Sequence, residues 1–132
     1  MIEDASIEPR LLKRQYMLTA TTAATTFVDY VVPQGRAMMV IWAAGVHNDG
    51  SARVCQFVLI DALSGLNTAL EVGTSRAAAT QHQLYDTCKA GCCLLLRAGH
   101  TLRFYVPAAA GGTTITLFLW IEEIRGEDNY GA

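Results

Sequence analysis

Apolar and polar positions alternate along much of this chain with the two-residue period of β-strands. The clearest example is Thr101–Val106, where every second residue is a large apolar one. The closing segment alternates too, but both of its faces carry large side chains. One face has Ile115, Leu117, Leu119 and Ile121, and the other has Thr114, Thr116, Phe118 and Trp120. If the first set fills a core, Phe118 and Trp120 need a second cover.

A corner motif occurs once in each half of the chain, at Val32–Met38 and at Leu96–Leu102. Each copy joins the end of an apolar strand to a second apolar strand through a turn that contains glycine. In the first copy, Pro33 is predicted to fix φ at the second turn position, and Gly35 can take the positive φ that closes the turn. The repetition predicts two halves of one antiparallel β-sandwich.

The segment between Arg36 and His47 is apolar on both faces, which predicts a strand covered on both sides. Strict alternation puts Met38, Val40 and Trp42 on one face and Met39, Ile41 and Ala43 on the other. Asn48-Asp49-Gly50-Ser51 then predicts a hairpin turn, because these residues tolerate left-handed conformations. Arg53–Asp61 is expected to return as the partner strand.

Frequent turn signals and the lack of an amphipathic helical period predict an all-β chain and exclude a doubly wound fold. We expect an antiparallel β-sandwich or jelly roll of about eight strands. Residues 1–13 are predicted to be an extended N-terminal arm, residues 14–125 the sandwich domain and residues 126–132 a polar C-terminal tail. The strand order between residues 62 and 92 stays open.

Composition changes this picture in one respect. The 132 residues suffice for one domain, yet 52% are hydrophobic and only 17% are charged. This apolar surplus favours a permanent oligomer or a large assembly, the alternative being an Ala-rich, well-packed monomer. A net charge of −2 with scattered Lys and Arg residues argues against a nucleic-acid partner. No apolar run is long enough for a membrane span, and the N-terminus lacks a signal-peptide pattern, so synthesis in a reducing cytoplasm is expected.

The sequence offers few candidates for chemistry. The cysteines Cys55, Cys88, Cys92 and Cys93 lack zinc-site spacing and are expected to be free thiols. His47, His82 and His100 stand apart, without the His-x-His pair of a cupin. His47 is interpreted as a strand-end histidine beside the following turn, although a metal-dependent jelly-roll enzyme built from distant histidines remains an alternative. Since no nucleophile elbow or phosphate loop is present, we expect no enzyme, cofactor, metal or catalytic residue.

Four motifs of this chain carry a resemblance to a known protein family. The motifs that carry the resemblance are Pro33-x-Gly35, the Asn48–Ala52 turn, Leu94-x-Leu96-x-Ala98-Gly99-x-Thr101-Leu102-Arg103 and the closing strand Ile115–Ile121. Over residues 26–124 the chain is similar to the small β-sandwich virion proteins of tailed bacteriophages, especially capsid decoration (cement) proteins. The resemblance implies a protein made in the host cytoplasm that sits on the capsid surface, often as a homotrimer. Such a protein binds the major capsid protein and staples neighbouring capsid subunits.

Two groups of residues are the candidate contacts. Phe118, Trp120 and Trp42 are predicted to form the interface between copies of the chain, and the arm residues Ile2, Ile7, Leu11 and Leu12 to contact the shell. The alternative function is a receptor- or carbohydrate-binding module of a phage tail fibre or baseplate. In that case sugars would stack on aromatic side chains, for which the candidates are Trp42, Tyr85, Tyr105 and Trp120.

Overall fold

The structure is a computed structural model that describes residues 13–61, 63–84 and 94–124. These residues form strands joined by turns, and among them no helix could span a membrane. The strands are β1 (Lys13–Thr22), β2 (Phe27–Val31), β3 (Ala37–His47), β4 (Arg53–Ile60), β5 (Asn67–Ala69), β6 (Thr74–Arg76), β7 (His82–Gln83), β8 (Leu94–Leu96), β9 (Thr101–Tyr105) and β10 (Ile115–Ile124). The predicted arm, except Lys13, and the predicted tail lie outside the described residues.

The strands form two antiparallel sheets. Sheet A has the order β1-β10-β3, and the short strands β7 and β8 both pair with the far edge of β3. Sheet B has the order β2-β9-β4, and the short strands β5 and β6 both pair with the far edge of β4. Counting each short pair as one position gives two four-stranded sheets in jelly-roll order. The prediction of an all-β sandwich or jelly roll is confirmed.

The core lies between the sheets and comes mainly from the alternating positions of β9 and β10. Leu102, Phe104 and Val106 are fully buried. From sheet A, the predicted inward set of the last strand is also buried, namely Ile115, Leu117, Leu119 and Ile121. Phe57 of β4 packs against Phe104, with ring centroids 5.3 Å apart. The two-residue period was therefore a sound guide for β9 and β10.

The two corner motifs cross between the sheets side by side. The N–H of Val32 donates to the carbonyl of His100 (2.9 Å), and the N–H of Gly99 donates to the carbonyl of Val32 (3.0 Å). Both turns close in the same way, because the residue after Gly35 or Gly99 donates its N–H to the residue three positions earlier. Both glycines have positive φ, 76° and 82°. One detail was wrong: Pro33 is the first residue of its turn rather than the second.

The turn after β3 was predicted as a hairpin, and this was wrong. β3 belongs to sheet A and β4 to sheet B, so the two strands do not pair. Asp49, only 7% exposed, fixes the crossing. Its carboxylate accepts hydrogen bonds from Ser51 N–H (3.0 Å), Arg53 Nε–H (2.8 Å) and Ala110 N–H (2.9 Å). These bonds hold the pKa of Asp49 well below its ordinary value, the bond from Ala110 having the largest effect.

A β-bulge in β3 overturns the strict alternation expected there. Val40 pairs with Ile121 and Trp42 pairs with Trp120, so Ile41 is an extra residue between them. Beyond the bulge the inward position passes to Ala43, which is fully buried. Trp42 therefore shares a face with Trp120 instead of continuing the inward row of Met38 and Val40.

Candidate interaction surface

The exposed side of sheet A carries a row of large apolar side chains. Across β1, β10 and β3 the register aligns Met17, Trp120 and Trp42. Met17 is 55% exposed and Trp120 is 40% exposed, while Trp42 is half-buried. Phe118, two residues before Trp120, lies on the same side and is half-buried, and Leu95 of β8 is 42% exposed beyond β3. We call these five residues outer face A.

Outer face A brings together all three residues predicted to form the interface, Phe118, Trp120 and Trp42. Their role in self-association stays a prediction. Met17 and Leu95 belong to the same surface but were not among the residues predicted to form the interface. Met17 could have been found from the alternation in β1, because it precedes Leu18, which packs against the core. Leu95 could not, because all three residues of β8 are leucines and no polar residue marks the outward position.

The exposed side of sheet B is built differently. Asp29 and Arg103 form an ion pair through two hydrogen bonds of 2.8 and 3.0 Å. The guanidinium of Arg103 lies over the ring of Phe27, 3.7 Å from its centroid. The bonds to Asp29 raise the pKa of Arg103. Sheet B thus covers part of its own aromatic surface with a charged side chain, and Tyr105, a predicted sugar-stacking residue, lies half-buried on this face.

A polar cluster around the buried ring of His82 lies near β6 and β7. Arg76 donates its Nε–H to Nδ1 of His82 (3.3 Å), so Nε2 of His82 carries the proton that bonds to Glu71. Glu71 also accepts the N–H of Phe57 (3.1 Å). His82 is 2% exposed and stacks on Phe57, with ring centroids 5.8 Å apart. The cluster ties the short strands at the edge of each sheet to the core.

The other histidines are also engaged by hydrogen bonds. Nδ1 of His47 accepts the N–H of Asp49 (3.0 Å), so Nε2 donates to the carbonyl of Arg76 (2.8 Å). This geometry confirms the interpretation of His47 as a strand-end histidine beside the turn. Nδ1 of His100 accepts the N–H of Arg97 (2.9 Å), and Nε2 of His100 lies 3.4 Å from Oδ1 of Asp61. Within residues 13–61, 63–84 and 94–124, no group of three or more His, Cys, Asp or Glu residues could hold a metal ion.

Of the remaining candidate residues, only Cys55 belongs to the described part of the chain. The arm residues Ile2, Ile7, Leu11 and Leu12 lie outside the described residues, as do Tyr85 and the cysteines Cys88, Cys92 and Cys93. Cys55 is a free thiol, fully buried on β4. Burial raises its pKa to about 11. Outer face A is therefore the one predicted contact surface that the described residues contain.

No protein-family model and no curated protein matches this sequence. Among solved structures, the chain is similar to a chain of the T=1 particles derived from infectious bursal virus, with a TM-score of 0.41 and 10% identity. It is also similar to a chain of infectious bursal disease virus, Gx strain, with a TM-score of 0.26 and 11% identity. The similarity covers 89% and 84% of this chain, but only 33% and 42% of those chains. At these TM-scores the likeness carries no argument about function.

Proposed function

We propose that this chain is a structural protein of a virus particle and that outer face A binds neighbouring protein subunits. The observation that carries the proposal is the contrast between the two exposed sheet faces. Sheet B places the Asp29–Arg103 ion pair over its aromatic surface, whereas sheet A presents Met17, Trp120 and Trp42 in one row. Apolar surface of this kind is typical of a protein interface.

The jelly-roll strand order agrees with this proposal without deciding it. Jelly rolls occur in viral capsid proteins, lectins and cupins, so the fold alone leaves several functions open. His47 and His82 already use both ring nitrogens in hydrogen bonds within the fold, whereas outer face A has exposed apolar area available for contact. The function is therefore argued from the surface and its residues.

The more specific form of the proposal is a bacteriophage capsid decoration protein. Copies associate as a homotrimer through outer face A, and the arm residues Ile2, Ile7, Leu11 and Leu12 bind the major capsid protein on the outside of the shell. The sequence motifs that resemble phage decoration proteins support this form, as does the low charge content. A shell-binding protein of this kind gains its effective affinity from several simultaneous contacts.

Self-association is tested by Trp120→Asp, which places a charge in the middle of outer face A. We expect the mass measured by light scattering to fall to that of one chain, with the folded circular dichroism spectrum retained. The matched control is Val31→Asp on sheet B, because Val31 is 56% exposed and lies away from outer face A. An unchanged mass for Trp120→Asp would refute the proposed interface.

Shell binding has its own test. Replacing the four arm residues by serine should leave the oligomer intact and abolish co-sedimentation with undecorated capsids. Full occupancy of the shells by this variant would show that the arm is not the shell contact.

The second candidate function is a receptor- or carbohydrate-binding module. It is favoured by Trp120, whose exposed ring lies across from Trp42 and offers a surface on which a sugar ring could stack. A glycan array separates the two functions. Specific sugar binding that is lost in Trp120→Ala, while the mass stays that of the wild type, would support this second function over the first.

A further inference from the structure

A second apolar feature lies at the turn between β4 and β5. This turn, which we call the β4–β5 tip, is Leu63–Leu66. Leu63 is 97% exposed and Leu66 is 67% exposed. Gly, Pro, Asn, Asp and Ser are the residues that favour tight turns, so two leucines in one short turn are uncommon. Together they present a compact apolar surface that is available for contact.

Hydrogen bonds centred on Asp61 hold the β4–β5 tip in one conformation. The carboxylate of Asp61 accepts the N–H of Leu63 (3.2 Å) and the O–H of Ser64 (3.0 Å). Ser64 Oγ accepts the N–H of Leu66 (3.2 Å), and the Asp61 backbone bonds to both Gly65 (2.9 Å) and Leu66 (3.0 Å). The turn thus fixes the backbone that carries the leucines, and a partner would not have to order it on binding.

We infer that the β4–β5 tip of one copy docks on outer face A of a second copy. This inference rests on the proposed self-association through outer face A and names the surface that meets it. One contact of this kind would remove from water both the leucines of the tip and the exposed ring of Trp120. Pairing outer face A with itself would leave Leu63 and Leu66 exposed.

The positions of the two surfaces in the fold support a contact between different copies. The β4–β5 tip extends from the end of sheet B, where Ile60 pairs with Asn67 and with Thr101. Outer face A is on the side of sheet A that points away from sheet B, so a tip cannot reach the face of its own chain. Contacts between unlike surfaces are heterologous, and they form a ring when the rotation between copies closes. A homotrimer is a ring of this kind.

The size of the tip sets what it can contribute. A stable interface buries about 800 Å² on each partner, which is more than two leucine side chains supply. A stable contact through the tip would therefore also have to bury neighbouring surface, such as the adjoining ends of β4 and β5. A few central residues commonly dominate the binding energy of such an interface.

Mixing two variants tests the inference. The tip variant Leu63→Asp/Leu66→Asp keeps outer face A, and the face variant Trp120→Asp keeps the tip. We expect each alone to have the mass of one chain by light scattering. An equimolar mixture should form a complex of two chains and no larger species, because the remaining tip and the remaining face in that complex are both mutated.

The outcomes separate the inference from the proposed function. If the tip variant keeps the wild-type mass and Trp120→Asp does not, the inference is wrong and self-association through outer face A stands. If Trp120→Asp keeps the wild-type mass, both are wrong. If both variants are monomeric and their mixture stays monomeric, the direct contact between tip and face is refuted.

Two further variants guard against misfolding as an explanation. Asp61→Ala keeps both leucines but removes the carboxylate that orders the turn, so association should weaken on the order of tenfold with the folded spectrum unchanged. Val72→Asp is the matched control, because Val72 is 88% exposed and lies between β5 and β6, outside the tip. Association as tight as the wild type in Asp61→Ala, or a loss of association in Val72→Asp, would count against the inference.

Discussion

Replacing Gly45 by alanine tests how closely the two sheets approach. Gly45 lies in the middle of β3, where it pairs with Leu117 on one side and His82 on the other. A Cβ atom added there would fall on the ring of Phe104, well inside van der Waals contact. Phe104 has 0% exposure and is flanked by the rings of Phe57 and His82, with centroids 5.3 and 6.3 Å away. The ring therefore has little room to move aside.

The expected magnitude follows from two opposing effects. Overpacking a core costs about 1–3 kcal/mol, and the confinement of Phe104 places this site near the upper end. Alanine restricts the unfolded chain more than glycine does, which returns roughly 0.5 kcal/mol. The free energy of unfolding should fall by about 2 kcal/mol. For a domain of this size the melting temperature should fall by about 8 °C.

Thermal and urea unfolding followed by circular dichroism would measure this loss. The control is Gly111→Ala, because nothing lies within 4 Å of a Cβ built on Gly111. The double variant Gly45→Ala/Phe104→Leu should lose less stability than the two single changes added together, with a coupling energy of about 1 kcal/mol. A melting temperature for Gly45→Ala equal to the wild type, or strict additivity in the double variant, would refute the close approach of the sheets.

Two other changes test the internal contacts. Asp49→Asn should destabilise the fold at neutral pH, because the neutral amide cannot accept the same three hydrogen bonds as strongly. Folding lowers the pKa of Asp49, so its stabilising contribution is present above the ordinary pKa of 3.8 and is lost as the pH falls below that value. The difference in melting temperature between Asp49→Asn and the wild type should therefore shrink at acidic pH. A difference that does not depend on pH would contradict this expectation. Cys55 should resist thiol reagents at pH 8 in the folded protein, because burial raises its pKa to about 11. Wild type and Cys55→Ala should therefore give equal thiol counts when native and differ by one thiol in denaturant, and a difference in the native state would show that Cys55 is accessible.

The sequence was most informative where alternation is regular. In β9 and β10 each inward position except Glu123 is large and apolar, so the two-residue period identified the buried apolar residues directly. In β3 both faces are apolar and the sequence does not mark where the bulge occurs. The extra residue, Ile41, looks like its neighbours, and only the pairing with β10 shows that Trp42 lies on the outer side.

Pairing between distant strands was the other property that the sequence did not reveal. The residues Asn48–Ser51 suit a hairpin, but a turn of the same composition also suits a crossing between sheets. Here the turn crosses between the sheets, and the carboxylate of Asp49 accepts a bond from Ala110, far along the chain, which the local sequence does not reveal. The leucines of the β4–β5 tip were likewise hidden, because apolar residues next to Ser64 and Gly65 resemble the end of a buried strand until their exposure is known.

The two sheet faces show how one chain can treat similar aromatic residues in opposite ways. On sheet B, Phe27 lies under the guanidinium of Arg103, and Asp29 holds that guanidinium in place from the same strand as the ring. The aromatic surface there is partly covered by the chain's own residues. On sheet A, the bulge at Ile41 moves Trp42 to the outer side, where it joins Trp120 and Met17 in one row. In a regular strand Trp42 would have continued the inward row, and outer face A would have lost the end of its aromatic row. The bulge therefore adds Trp42 to the surface on which the proposed assembly depends, and redirecting a side chain in this way is a common role of bulges.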